Sequence, residues 1–140
     1  LDTRQRFGFC LLVDCHSMPS AGWPSEREAG PDAPDFVLGD RFGTSCDLRL
    51  TRLLRAAIAA QGYDVQLNRP YAGGYITEHY GRPLRGIHAV QIEINRGLYM
   101  DERTLEKTAG FAALESHLVR LAERLFVEVP QALERRSAAE

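Results

Sequence analysis

No stretch of this 140-residue sequence approaches the roughly 18 consecutive apolar residues of a membrane-spanning helix, and no signal-peptide pattern opens it. Net charge is nearly absent as well: at −2, there is no electrostatic case for nucleic acid or an anionic membrane as partner. Cysteine is scarce. Cys10, Cys15 and Cys46 are odd in number and lack CxxC spacing. Cys10 and Cys15 lie five apart on one strand, so they point to opposite faces and cannot bridge. All three read as buried thiols in a reducing compartment, the cytoplasm. A glycine-rich phosphate loop with its Lys-Ser/Thr ending is missing, as are repeats and internal linkers. The sequence also lacks an opening methionine, and Leu1 to Phe7 reads as a helix end feeding straight into a strand. A carboxyl-terminal portion of a longer polypeptide is therefore expected, with residues 1–140 forming part of a single domain.

What is present suits one soluble core: 44% hydrophobic and 26% charged residues is an ordinary globular balance. The chain is organised around Gly8-Phe9-Cys10-Leu11-Leu12-Val13-Asp14-Cys15-His16-Ser17. Its apolar first half predicts a strand buried on both faces, with neighbours on each side. It stops on Asp14 and His16, where open α/β sheets gather their chemistry. A Pro/Gly-rich loop, Ser17 to Pro34, follows. Further strands are predicted at Asp35–Asp40, Tyr63–Leu67 and Gly86–Asn95. A helix capped by the pair Thr44 and Asp47 presents Leu48, Leu50, Leu53, Leu54, Ala57 and Ile58 on one face. Asn68 to Pro83 reads as a loop with one helical turn near Ile76. A second amphipathic helix runs from Phe111 to Leu125, Pro130 kinks or ends it, and Ala132 to Glu140 frays. Strands alternating with helices predict an α/β fold with a mostly parallel or mixed sheet flanked by helices.

Three groups of residues carry chemistry. His16 alone is more often a hydrogen-bonded structural group, but Asp14, two residues earlier on the same face, can ligate a metal or orient a ligand. Glu93 is flanked by Ile92 and Ile94 in a buried strand, so it must be paired, metal-bound or protonated. A salt bridge to Arg96 or another arginine is the structural alternative; the functional one is a general base beside a metal-bound water. Arg41, Arg69, Arg82 and Arg85 lie in loops among glycines, where a guanidinium can grip a carboxylate bidentately. The stretch from Asn68 and Arg69 to Tyr75 is the best of these, because Gly73 and Gly74 let backbone approach a ligand. His79, His88 and His117 form no metal spacing with His16, and a Cys15–His16 catalytic pair is excluded because adjacent strand residues face opposite ways.

Five blocks together resemble the N-formylglutamate amidohydrolases, the deformylases of histidine degradation. They are Leu12 to Pro19, Leu38 to Cys46, Asn68 to Tyr71 with Gly73 to Thr77, His79 to Gly81, and His88 to Glu93 with Tyr99 and Met100. The blocks occur in the family's order and cover the chain from about Phe7 to Leu125. The resemblance implies a zinc-carboxypeptidase-like (phosphorylase/hydrolase-like) fold, incomplete in these residues. It places His16 as the last ligand of a single zinc ion, Asp14 as a possible second, and Glu93 as the base. The implied reaction cleaves N-formyl-L-glutamate to formate and glutamate, with Arg69, Arg41 and Arg85, in that order, as carboxylate clamps and Asn68 and Tyr75 beside them. Two alternatives stand: hydrolysis of another N-acyl acidic amino acid or small peptide, and a non-catalytic domain for acidic ligands or a partner. Family members are considerably longer, and the Pro-His-Ser/Ala-Gly segment expected to give the earlier zinc ligands is not among these residues. The further ligands, and a partner in the form of the missing amino-terminal half, are expected upstream.

Overall fold

A computed structural model describes residues 2–21 and 33–134. After a short helix, α1 (Asp2–Phe7), comes β1 (Cys10–Met18), then β2 (Phe36–Gly39), α2 (Leu48–Ala59), β3 (Val65–Leu67), α3 (Tyr75–Tyr80), β4 (Ile87–Asn95) and α4 (Gly110–Glu134). Single 3-10 turns occupy Pro83–Arg85 and Arg96–Leu98. The four strands form one mixed sheet in the order β1-β4-β2-β3. β1 and β4 run parallel, with Cys10 opposite Ile87 and Met18 opposite Asn95; β4 and β2 are antiparallel; β2 and β3 are parallel and joined through α2 as a βαβ unit. The expected mixed α/β sheet is thus present.

Burial divides the sheet into two unlike faces. Val90, Ile92 and Ile94 on β4 and Phe36 and Leu38 on β2 meet Leu50, Leu54 and Ile58 of α2 and Leu114, Leu121 and Val129 of α4 in one buried cluster. The opposite face carries Asp14 and His16 from β1 and Gln91, Glu93 and Asn95 from β4. It is covered in part by the loop after β3. Gly39 is there because only a glycine fits: a Cβ would come within 2.5 Å of the Gly73 backbone nitrogen.

Four expectations need correction. β1 is not a central strand: it lies at the sheet's edge, pairs with β4 alone among the described residues, and is half-buried. The strand buried on both faces is β4, every residue of which beyond Ile87 is buried. Apolar content cannot distinguish them, because Leu11 and Val13 already pack against the helices while Leu12 faces away. The cysteines are not uniformly buried either: Cys46 is, Cys10 is intermediate and Cys15 is exposed. Thr44 does not cap α2. Asp47 is the N-cap, accepting from the Arg49 amide, while the Thr44 hydroxyl donates back to the Arg41 carbonyl, and Leu48 stays 52% exposed. Finally, α4 continues through Pro130. Proline removes a single donor there, and tertiary contacts hold the last turns: Val129 is buried, Ala132 and Leu133 pack on the core, and Arg49 donates to the Ala132 carbonyl at 2.9 Å. The expected loop before Pro34 falls largely outside the described residues, as does the tail beyond Glu134.

Asp47 also binds the Arg49 side chain, at 3.0 and 2.7 Å, and those bonds hold its carboxyl down at about 2. Asp47→Ala should destabilise the fold by about 1 kcal/mol, as for other lost N-caps. Because the folded value lies below the unfolded value of about 3.9, the contribution is complete above that pH and is lost as pH falls toward 2. Thermal unfolding from pH 7 to pH 2 should show the gap between wild type and variant closing on the acid side.

Candidate active site

The register of β1 and β4 assembles the polar strip. His16 stands directly opposite Glu93, and Asp14 opposite Gln91. Paired residues on neighbouring strands project from the same face, about 4.8 Å apart at the backbone. The imidazole and the carboxylate singled out from sequence therefore share one face of the sheet. His16 Nε2 lies 3.1 Å from Asp14 Oδ1, with the His16 side chain half exposed and that of Asp14 18% exposed. The contact fixes the ring and leaves Nδ1 without a hydrogen-bond partner among the described residues, as in a carboxylate–histidine pair that presents a nitrogen.

Glu93 is 6% exposed. Burial raises its carboxyl above the ordinary carboxylate range, and the Asp14 charge adds to that. A hydrogen bond from Gln91 and the charges of His16 and Arg96 act in the opposite direction. Arg96 does not form the alternative salt bridge: its guanidinium is turned to the hydroxyl and carbonyl of Ser17 and faces Glu102 at 3.8 Å. The close partner of Glu93 is Gln91 Nε2, 2.6 Å from Oε1. A carboxylate kept from full solvation, near an imidazole, has the character of a general base.

The basic loops gather elsewhere. Arg41 and Arg85 line a cleft of about 580 Å³ with Arg82, Ser45, Thr77 and Glu78. β2 runs antiparallel to β4, so this cleft sits toward the amino-terminal end of β4, away from Glu93. Within it Arg41 pairs with Glu78 at 3.3 Å and reaches the Gly73 carbonyl at 3.4 Å. A larger open groove, about 860 Å³, runs between β1 and α4 and is lined by His16, Cys15, Ser17, Arg96, Tyr99 and Phe111 among others. Glu93 does not line it. Arg69 and Tyr75 are exposed, with Tyr75 stacked on His79 at 5.0 Å between ring centres.

Asn68 has a different part from the one expected. Its side chain is consumed inside the protein: Nδ2 donates to Asp40 Oδ1 at 2.8 Å, and Oδ1 accepts from the amides of Asp40 and Phe42. Asp40, 1% exposed, further accepts from Thr51 Oγ1 at 2.8 Å and from the Gly43 amide at 2.9 Å. This network holds Arg41, Phe42 and Asn68 in left-handed backbone, at φ of 55°, 55° and 59°. His88 is buried on the helix side, its Nδ1 accepting from the Asp47 amide, and His117 ties α4 to the Tyr63 hydroxyl at 2.6 Å. Sequence reasoning assigned no part to Asp40 or Gln91. The available signal for Gln91 was its place two residues before Glu93 on the same strand face.

Comparison with known proteins gives the family of this chain. A family model described as N-formylglutamate amidohydrolase matches residues 1–100. The chain belongs to the N-formylglutamate amidohydrolase family. It is 43% identical over 101 residues to the N-formylglutamate deformylase of Pseudomonas aeruginosa, a match covering 71% of this chain and 37% of the relative. With the N-formylglutamate deformylase of Pseudomonas putida it shares 43% over 100 residues, covering 71% and 36%. The crystal structure of N-formylglutamate amidohydrolase from Ralstonia eutropha JMP134 superimposes with a TM-score of 0.80 at 38% identity, covering 91% of this chain and 46% of that one. The chain thus spans less than half the length of these amidohydrolases. No helix among the described residues is long and apolar enough to cross a membrane.

Proposed function

We propose that this chain carries the proton-transfer side of a hydrolase that cleaves N-formyl-L-glutamate to formate and glutamate. The observation that supports this most is the pairing of His16 with Glu93 on one polar face, with burial tuning the carboxyl upward toward the working range of a general base. Glu93 would take a proton from the attacking water as its oxygen bonds to the formyl carbon. The same carboxyl would then return the proton to the glutamate nitrogen as the C–N bond breaks. Arg69 would be the first clamp on the substrate's carboxylates, with Tyr75 at the loop's mouth; Arg41 and Arg85, which line the cleft away from Glu93, come after it and would have to act from there. Asn68 would act on the substrate only through the backbone it orders.

A zinc ion is the cofactor we propose, with His16 and Asp14 as its ligands here. A bound zinc would polarise the formyl oxygen and acidify water. The donor set fits only in part: a catalytic zinc takes three protein ligands and an open position, and the described residues contain no group of three His, Cys, Asp or Glu that could hold a metal. The remaining donors would come from a segment like those the relatives carry beyond the matched region, the proposed amino-terminal half. A zinc-carboxypeptidase-like sheet, in the cytoplasm where free thiols persist, completes the reading.

The incomplete donor set also favours a second reading, in which the domain binds N-acylated acidic ligands without turnover. Formate release from N-formyl-L-glutamate, compared with acetate release from the N-acetyl analogue, separates the two and also reports the acyl preference. Arg69→Ala should raise KM about tenfold or more with kcat little changed, as expected on losing a charge-assisted contact of about 1.5–3 kcal/mol. An unchanged KM would assign the clamp to another arginine.

A further inference from the structure

We infer that Gln91 is a positioning residue, a strut that fixes the Glu93 carboxylate and joins it to the loop leading into α3. The inference rests on the proposed role of Glu93 as base. Gln91 is 6% exposed, and its two amide atoms have separate partners. The Gly74 backbone N–H, which can only donate, lies 2.8 Å from Oε1. That donor decides the orientation of the amide, so Nε2 must point the other way, where it donates to Glu93 Oε1 at 2.6 Å. A flip would face two donors toward each other at Gly74 and two acceptors at Glu93. Glu93 therefore has Oε1 committed and keeps Oε2 for the reacting proton.

The strut has a second end of equal interest. Gly74 is the N-cap of α3 and follows Gly73, whose left-handed φ of 109° and close approach to Thr77 admit no side chain. The preceding Ala72 carbonyl accepts from the Arg41 amide at 2.8 Å. The loop that bears Arg69 and Tyr75 is thus joined through Gly74 and Gln91 to the base. A ligand that moves the loop moves the carboxylate.

The test uses Gln91→Met, which keeps the shape and deletes both bonds, and Gln91→Glu, which keeps an acceptor for Gly74 but replaces the amide donor with a second carboxyl set against Glu93. Hydrogen exchange at the Gly74 amide and the Glu93 carboxyl carbon shift are read by NMR at one fixed pH, beside kcat and KM for N-formyl-L-glutamate. In Gln91→Met, Gly74 should exchange at least about tenfold faster and the Glu93 signal should move. kcat should fall about 10- to 100-fold with KM within about twofold, the size seen when a group supporting a reactive residue is lost. In Gln91→Glu, Gly74 should stay protected while kcat falls. Unchanged Gly74 exchange and an unmoved Glu93 signal in Gln91→Met would overturn the strut, as would kcat and KM both left at wild-type values. Should Gln91→Met fail to fold, Gln91→Leu replaces it with the same expected outcomes. If the full-length enzyme loaded with zinc releases no formate, the base reading of Glu93 fails, and the two NMR readouts still decide whether Gln91 is the strut.

Discussion

Asp40→Ala is expected to destabilise the fold by about 3–5 kcal/mol, because three donors lose their shared acceptor at once. The carboxylate is almost completely enclosed, and three donors converge on it from Thr51, Gly43 and Asn68. Each bond to a charged acceptor is worth about 1.5–3 kcal/mol, and a buried donor left without a partner incurs its full desolvation penalty. The left-handed residues Arg41 and Phe42 would lose their restraint at the same time. Small domains have only about 5–15 kcal/mol of net stability, so the loss would be a large share of the total. Urea unfolding should show a lower midpoint with an unchanged slope. Asp40→Asn, which can keep an acceptor for Gly43 and Asn68 at the Oδ1 position and turn its amide toward the Thr51 hydroxyl, which can rotate to accept, should cost less than the alanine variant. A loss below about 1 kcal/mol in Asp40→Ala would mean the turn is held by other contacts.

Glu93→Gln should have the largest effect on turnover, a drop in kcat of about 10²- to 10⁴-fold, as expected when a positioned base is removed. Metal content should be unchanged, because Glu93 is not one of the proposed ligands. The same variant should melt at a higher temperature than wild type at pH 7. The sign follows from burial. A carboxyl whose folded value is raised favours folding fully only below its unfolded value of about 4.3, and that contribution is lost as pH rises through the folded value. Glutamine removes the charge and can still accept from Gln91. The difference in melting temperature should therefore shrink as pH falls and wild-type Glu93 takes up its proton. Formate assays and thermal melts from pH 4 to pH 8 read both effects. Retained turnover would remove Glu93 from the chemistry, and a lower melting temperature at pH 7 would show that its charge is better compensated than the geometry indicates.

Much of the fold was legible because period and burial coincide. Ile92 and Ile94 alternating with Glu93 and Asn95 marked a strand with one greasy and one polar face, and both faces are found as expected. Glu93 was legible because a carboxyl is costly in a buried strand and His16 because it ends a strand beside Asp14, and the parallel register sets the two opposite each other. What could not be read was set by contacts distant in sequence. The outer position of β1 depends on which strands pair, which its own residues do not encode. Pro130 read as a kink or an end, and Arg49 and the core hold the helix beyond it. Asn68 looked like a ligand-binding group beside Arg69, but Asp40, twenty-eight positions earlier, claims its amide. Of the arginines read as lying in loops, Arg85 closes a 3-10 turn. The gathering of Arg41, Arg82 and Arg85 at the other end of the sheet follows from the antiparallel step between β2 and β4, which no local pattern reports.

The strand that joins the two halves of the sheet is also the last of the described strands in chain order. β4 is the neighbour of both β1 and β2, and without it the sheet falls into two pieces that do not touch through hydrogen bonds. The polar strip is complete only with Ile87 to Asn95 in place between β1 and β2, so closing this sheet and assembling the strip are one event. Among the described strands, β1 has no other partner to hold it.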